Sequence, residues 1–163
     1  MNFYKTSLVV FFLVVISRLL PHPPNFTSLI ALSFYIPALL GRKYIYVLIL
    51  GFIVSDLYFG MHQIIIFTWG SIFLIGHLSK FFFRSFKTRS IANIFAALLF
   101  FVVTNFGVWL TGSYGYSLEG LITCYIMAIP FFTNTLISTV VYGLTIETIY
   151  WQYNKFKKFY TKG

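Results

Sequence analysis

The sequence predicts an all-α polytopic membrane protein with six transmembrane helices and a short extra helix before the last span. Two observations support this prediction: long apolar runs alternate with short polar or basic links, and 59% of the residues are hydrophobic while only 9% are charged. A soluble domain of 163 residues needs a charged, mixed surface, which this composition does not supply. We therefore expect residues 1–163 to form a single transmembrane domain.

The first apolar run is expected to span the membrane at about residues 5–20. It ends at the prolines of the segment PHPP, because proline has no amide hydrogen to donate to a helix. No small-x-small cleavage site follows the run, so we expect a retained anchor in place of a cleaved signal peptide. Asn25 or Thr27 is expected to cap the second helix. The later spans are expected at about 26–40, 44–59, 64–79, 91–111 and 131–153.

Residues 118–129 form a short apolar run that stops at Pro130. At 1.5 Å per residue this run rises only about 18 Å, whereas the hydrocarbon core of a bilayer is ~30 Å thick. We interpret the run as a short dipping or interfacial helix that is separate from the last span. The last span then starts at Phe131.

Lysine and arginine are distributed unevenly between the links. If both termini are cytoplasmic, all but one of the twelve basic residues lie on the cytoplasmic side, and Arg18 alone lies near the outer face. The segment KFFFRSFKTRS, residues 80–90, is typical of a segment on an anionic membrane surface. The pattern predicts a multi-pass protein of the cytoplasmic membrane, in contact with membrane lipids. The basic residues expected inside are Lys5, Arg42, Lys43, Lys80, Arg84, Lys87, Arg89, Lys155, Lys157, Lys158 and Lys162.

Polar and aromatic side chains gather at the outer ends of the expected helices, mainly within residues 104–134. Aromatic rings stack on a flat ligand and amide groups bond its polar edge, which is the mixture expected of a small-molecule pocket. An aromatic belt at the membrane interface is the alternative explanation. The predicted ligand-binding residues are Asn25, Asp56, His62, Asn105, Trp109, Tyr114, Tyr116, Tyr125 and Asn134.

Two carboxylates within the expected spans need partners. A carboxylate at mid-membrane costs ~2.5–3.5 kcal/mol, so it is normally paired or placed in a polar cavity. For Asp56, an ion pair with Arg18 is one account and a direct ligand contact is the other. Glu147 is expected to bond a neighbouring helix or to reach Arg42 or Lys43.

No catalytic or nucleotide-binding signature is present in the sequence, which contains neither a phosphate loop nor a G-x-S-x-G motif. We therefore expect no enzyme activity and no cofactor. His22 and His62 lack the tight spacing of metal ligands, so no metal site is predicted. The single cysteine, Cys124, excludes an internal disulfide. Because the basic residues form short clusters between apolar runs, they indicate topology and not nucleic-acid binding.

Four blocks of the sequence, RLLPHPPNFTSLIAL, SDLYFGMH, TNFGVWL and CYIMAIPFFTNTL, resemble an uncharacterised bacterial family of small multi-spanning membrane proteins. The layout is also similar to the substrate-binding S components of energy-coupling-factor (ECF) transporters, which have six short helices. Pro130 and Asn134 match the entry to the last helix in that layout. The resemblance implies the bacterial inner membrane and a ligand site near the outer surface. The expected first helix lacks the Ala-x-x-x-Ala patch of S components, and that spacing occurs instead at Ala92 and Ala96.

The expected function is that of a substrate-binding subunit, which captures a small vitamin-like or heterocyclic nutrient from the outer face for transport. Its expected partners are the small-molecule ligand and separate energising membrane and ATPase subunits. The main alternative is a non-catalytic structural or accessory subunit of a larger membrane protein complex. A membrane enzyme that uses Asp56 and His62 is a third alternative.

The uneven distribution of basic residues generates a labelling prediction. In a Cys124→Ala background, Ser113→Cys is expected to react with an impermeant thiol reagent added to intact cells. Ser85→Cys is expected to react only after the membrane is permeabilised, because the basic links remain inside. The reverse labelling pattern would contradict the assignment of the two faces.

Overall fold

The computed structural model describes residues 2–160, and every regular element in that range is helical. The all-α class is therefore confirmed. The described part of the chain contains six α-helices and one 3₁₀ helix. In chain order they are α1 (Phe3–Leu19), α2 (Leu29–Leu40), α3 (Tyr44–Phe59), α4 (Ile65–Leu78), the 3₁₀ helix (Ser79–Phe82), α5 (Phe86–Leu110) and α6 (Leu118–Tyr160).

Short links reverse the chain between consecutive helices and so define two ends of the bundle. The links at 41–43 and 79–85 lie at one end, which we call the basic end because it carries Arg42, Lys43, Lys80 and Arg84. The links at 20–28, 60–64 and 111–117 lie at the opposite end, which we call the rim. The ligand site predicted from the sequence lies at the rim.

Helix α2 is the centre of the bundle and contacts each of the other five α-helices. Residues 30–37 of this helix are all buried. A helix that is apolar all round is expected to lie inside a protein, since it has no polar face to present to solvent. The run IALSFYIP within α2 has this character and occupies the interior.

The buried side chains form two clusters on different sides of α2. In the first cluster, Leu32 and Ile36 pack with Val14 of α1, Phe52 of α3 and Ile72 of α4. The second cluster joins α2 to α4 and α5, and its members include Ile30, Ala31, Phe34, Ile75, Ala92, Ala96 and Ala97. The core is therefore continuous through α2, which links the α1–α3 side of the bundle to the α5–α6 side.

Length and composition support a membrane protein. Within residues 2–160, three segments are long and apolar enough to cross a membrane: Ile65–Phe82, Phe86–Leu110 and Leu118–Phe159. Helices α2 and α3 are apolar but shorter. Many large apolar side chains are exposed on outward helix faces, as expected where a protein contacts lipid. The finer expectation of six crossings stays a prediction.

The predicted break between a short helix and the last span is wrong. Helix α6 is continuous through Pro130. Proline removes one backbone hydrogen bond, but α5 packs along the helix on both sides of it. Before the proline, the Tyr125 hydroxyl donates to the Val102 carbonyl at 2.6 Å. After it, the Asn93 amide donates to the Thr139 carbonyl at 2.9 Å. Contacts with one neighbour thus support both halves of α6.

The start of α2 also differs from the expected cap. The helix begins at Leu29, and Ser28 occupies the capping position without a side-chain cap bond. Asn25 has a φ of 61°, which is not helical backbone. The Thr27 hydroxyl accepts from the Leu29 amide at 3.4 Å. Neither residue predicted as the cap occupies the capping position.

Helix α5 starts five residues before the expected span at 91, at Phe86. The Ser85 hydroxyl caps it by accepting from the Thr88 amide at 3.1 Å. The predicted interfacial segment at 80–90 is therefore divided between the 3₁₀ helix, a short turn and the first turn of α5.

The close approach of α4 to α5 at Gly107 generates a stability prediction. A Cβ at Gly107 would lie 2.5 Å from the Phe67 ring and 3.0 Å from the Phe67 Cβ. Gly107→Ala is therefore expected to lower the free energy of unfolding by about 1–3 kcal/mol, because the helices must separate. Gly70→Ala on α4 is the matched control, since no atom lies within 4 Å of its Cβ. Equal unfolding temperatures of the two variants in detergent would contradict this packing.

Candidate functional site

A buried ion pair joins α1, α3 and α4 near the rim. Asp56, on the last turn of α3, is 2% exposed. Arg18 donates to its Oδ1 atom at 2.5 Å. The Trp69 indole donates to its Oδ2 atom at 2.8 Å. Arg18 also donates to the Ser55 hydroxyl at 2.6 Å. The ion pair with Arg18, one of the two accounts of Asp56 that the sequence left open, is present, and both oxygens of Asp56 have partners within the chain.

A second buried carboxylate joins α2, α5 and α6 near the basic end. Arg89 donates to Glu147 through two nitrogens, from Nε to Oε1 at 2.5 Å and from Nη2 to Oε2 at 2.7 Å. The Tyr35 hydroxyl donates to Oε1 at 2.9 Å. This paired geometry is the strong form of an arginine–carboxylate contact. The expected bond to a neighbouring helix is confirmed, while the expected reach toward Arg42 or Lys43 is wrong.

Two cavities lie away from the rim. One has a volume of about 400 Å³ and lies beside the Arg89–Glu147 pair, where it is also lined by Tyr150 and Trp151. The other has a volume of about 710 Å³ and runs along α5 beside α4 and the 3₁₀ helix. None of the predicted ligand-binding residues lines either cavity.

At the rim, Trp109 occupies the last turn of α5. Its ring packs against Phe106 with centroids 5.6 Å apart and against Tyr116 at 6.2 Å in an edge arrangement. The indole Nε1–H is buried and has no hydrogen-bond partner among residues 2–160. An unpaired buried donor costs about 1–3 kcal/mol, so such groups are uncommon and call for an explanation. A ligand acceptor at this position would remove the cost.

The link between α5 and α6 is a compact turn. Gly112 and Gly115 have φ values of 81° and 75°, a backbone region that other residues rarely adopt. The Gly115 amide donates to the Gly112 carbonyl at 2.9 Å. The backbone of Gly120 packs directly on the Tyr114 carbonyl, which leaves no space for a Cβ. These glycines hold Tyr114 and Tyr116 close to the end of α5.

Asn25 and Asn134 both lie at the junction between α6 and the α1–α2 link. The Asn134 amide donates to the Pro24 carbonyl at 3.0 Å. The Thr135 hydroxyl donates to the Asn25 carbonyl at 3.5 Å. Both predicted residues therefore tie the link to α6.

Asn105 and Tyr125 lie on facing sides of α5 and α6, where their polar groups are also bonded. The Asn105 amide donates to the Phe101 carbonyl at 2.7 Å, and the Tyr125 hydroxyl bonds α5 as described above. His62 is exposed on the α3–α4 link. The predicted residues thus fall into separate groups, and only the group around Trp109 contains a buried donor without a partner.

Sequence reasoning missed the partners of both carboxylates apart from Arg18. Tyr35 and Trp69 lie in otherwise apolar runs, and a buried Tyr or Trp usually finds a bond for its polar atom. That rule predicts that the Tyr35 hydroxyl and the Trp69 indole N–H each donate a hydrogen bond to an acceptor elsewhere in the chain. It does not say which carboxylate each reaches, because Tyr35 and Glu147 are 112 positions apart.

A family model matches residues 2–159, and its description is "Family of unknown function (DUF6580)". The chain belongs to this family. The match agrees with the sequence-based resemblance to an uncharacterised family. No curated protein and no solved structure matches this DUF6580 chain.

The Arg18–Asp56 pair generates a double-mutant prediction. Arg18→Gln leaves the buried Asp56 carboxylate without its ion-pair partner and is expected to lower the free energy of unfolding by about 3–5 kcal/mol. Asp56→Asn leaves only the partly exposed Arg18 charge unpaired and is expected to lower it by a smaller amount. The double variant is expected to recover a large part of the loss caused by Arg18→Gln. The measurement is denaturant unfolding of all three variants in detergent.

The exposed Arg84→Gln variant is the control, and its stability is expected to change by less than ~0.5 kcal/mol. Additive losses in the double variant would show that the two side chains are not energetically coupled.

Proposed function

We propose that this DUF6580 protein is a membrane substrate-binding subunit of a transporter, similar in role to an ECF S component. It captures a small vitamin-like or heterocyclic nutrient at the rim. The observation that carries the proposal is the buried, unpaired indole N–H of Trp109, which lies among aromatic rings at the end of α5.

The chemistry around Trp109 favours a flat, ring-shaped ligand with a hydrogen-bond acceptor. The indole N–H supplies a directed donor in a site that is largely removed from water, where one bond contributes strongly to specificity. The rings of Trp109 and Tyr116 supply stacking surface. The Tyr114 hydroxyl is proposed to bond the ligand's polar edge.

The surrounding scaffold supports such a site. The Asp56 network fixes the rim ends of α1, α3 and α4. The Asn134 bond fixes the α1–α2 link against α6. A site whose neighbouring segments are fixed in this way is preorganised. Less conformational entropy is therefore lost when a ligand binds.

The proposal includes six crossings of the bacterial cytoplasmic membrane, with both termini inside and the rim outside. The concentration of basic residues at one end of the bundle supports this orientation. Because the sequence contains no phosphate loop, energy for release comes from separate membrane and ATPase subunits. The subunit itself has no catalytic role.

A second candidate function is a non-catalytic accessory subunit of a larger membrane complex. One observation favours it: at the rim, Asp56, Asn105, Tyr125 and Asn134 already bond groups within the chain. In this case a partner chain covers the rim and supplies the acceptor for Trp109.

Trp109→Phe separates these functions, because it removes the N–H while it keeps an aromatic ring. In a thermal-shift screen of vitamins and their precursors, a ligand at 100 times its dissociation constant is expected to stabilise the purified protein by ~2.7 kcal/mol. Trp109→Phe is expected to weaken binding of that ligand by up to about tenfold. Without ligand, the variant is expected to stay within about 1 kcal/mol of the original protein's stability, because removal of the unpaired donor offsets the packing lost with the larger ring.

Trp151→Phe, at the exposed basic end of α6, is the matched control and is expected to leave binding unchanged. If no compound stabilises the protein, and it purifies only with a partner chain that protects the rim from labelling, the accessory function replaces the proposed one.

A further inference from the structure

The largest cavity described above is a groove that follows α5 from the basic end toward the rim. It extends from Lys87 to Val103. At 1.5 Å per residue this length is about 24 Å, which exceeds the ~15 Å of one hydrocarbon leaflet. One fatty acyl chain, aligned with the helices, therefore fits along it.

The floor of the groove belongs to the protein core. Phe34 of α2 and Ile75 of α4 are 2% exposed, and the small side chains of Ala92 and Ala96 lie between the larger residues of α5. Exposed apolar side chains such as Phe95 form the walls. An occupant of the groove must be apolar over nearly its whole length.

Polar groups line the groove at the basic end only. They are Ser79, Lys87 and Thr88. Lys80 and Arg84 lie in the same 79–85 link and are exposed. The mouth of the groove is therefore cationic at Lys87, while the rest of the groove is apolar.

Within residues 2–160, no carboxylate lies at this mouth. The chain contains only three acidic residues. Asp56 and Glu119 lie toward the rim, and Glu147 is held by Arg89. Lys87 at the mouth, with Lys80 and Arg84 in the adjacent 79–85 link, thus gives this end of the groove a positive charge that favours an anionic headgroup.

We infer that this groove binds one anionic phospholipid from the leaflet at the basic end, with an acyl chain along α5 and its phosphate at Lys87 and Thr88. The charge complementarity of the mouth distinguishes this occupant from a zwitterionic lipid. The site is separate from the proposed ligand site at the rim, so each can fail without the other.

The test uses the full chain, delipidated in a mild detergent. Phosphatidylglycerol and phosphatidylcholine with identical acyl chains are titrated, and binding is followed by native mass spectrometry and thermal shift. One phosphatidylglycerol per chain is expected to be retained and to raise the unfolding temperature. Phosphatidylcholine is expected to bind at least about fivefold more weakly, because the mouth is cationic. Inorganic phosphate at the same concentration is expected to give no shift.

Two charge variants make the test specific. Lys87 is exposed, and Lys87→Gln is expected to weaken phosphatidylglycerol binding about fivefold. Phosphatidylcholine binding is expected to weaken by a smaller factor, because its choline cation already offsets the phosphate charge at the mouth. Lys5→Gln removes the same charge from α1, outside the groove, and is expected to leave both affinities unchanged.

Four results would each overturn the inference. They are equal binding of the two lipids, an equal effect of the two variants, an equal shift with inorganic phosphate, and crosslinking of Phe95→Cys to another protein chain in the native membrane. The last result would show that a protein helix covers the groove.

Discussion

Two buried carboxylates hold the six α-helices together in two groups of three. Asp56 joins α1, α3 and α4 through Arg18 and Trp69, and Glu147 joins α2, α5 and α6 through Arg89 and Tyr35. A carboxylate in apolar surroundings has no water to bond. If its arginine partner is removed, the unpaired buried charge lowers the stability of the fold by several kcal/mol. Each carboxylate therefore requires three helices to hold one relative position, and together the two networks include all six described α-helices.

The two networks also separate the two surfaces at which we propose binding. The Asp56 network lies near the rim, where the Trp109 indole N–H has no hydrogen-bond partner among the described residues, and the Glu147 network lies near the basic end. The lipid groove begins at the basic end and follows α5 away from it. The two proposed sites therefore differ in chemistry. The small ring-shaped ligand contacts a directed N–H donor at the rim, whereas the anionic lipid contacts an apolar groove with a cationic mouth.

Several features of this fold follow from local properties of the chain. The bounds of α3 agree with the expected 44–59 segment, because glycine and basic links interrupt the apolar run on both sides. The pairing of Arg18 with Asp56 was also predictable, because each is the only strongly charged residue near its helix end on that side. By contrast, Pro130 misled the prediction of a helix break, since the effect of a proline depends on the helix that packs beside it.

The sequence by itself determined the all-α membrane class, the approximate positions of the helices and the concentration of basic residues at one end. Those properties depend on composition and on the spacing of residues near one another in the chain. Only the tertiary structure decided that α6 continues through Pro130, that Glu147 pairs with Arg89, and that the Trp109 N–H has no partner in the described part of the chain. The reason is physical: each of these outcomes depends on which side chains face one another across packed helices, and residues far apart in sequence meet there.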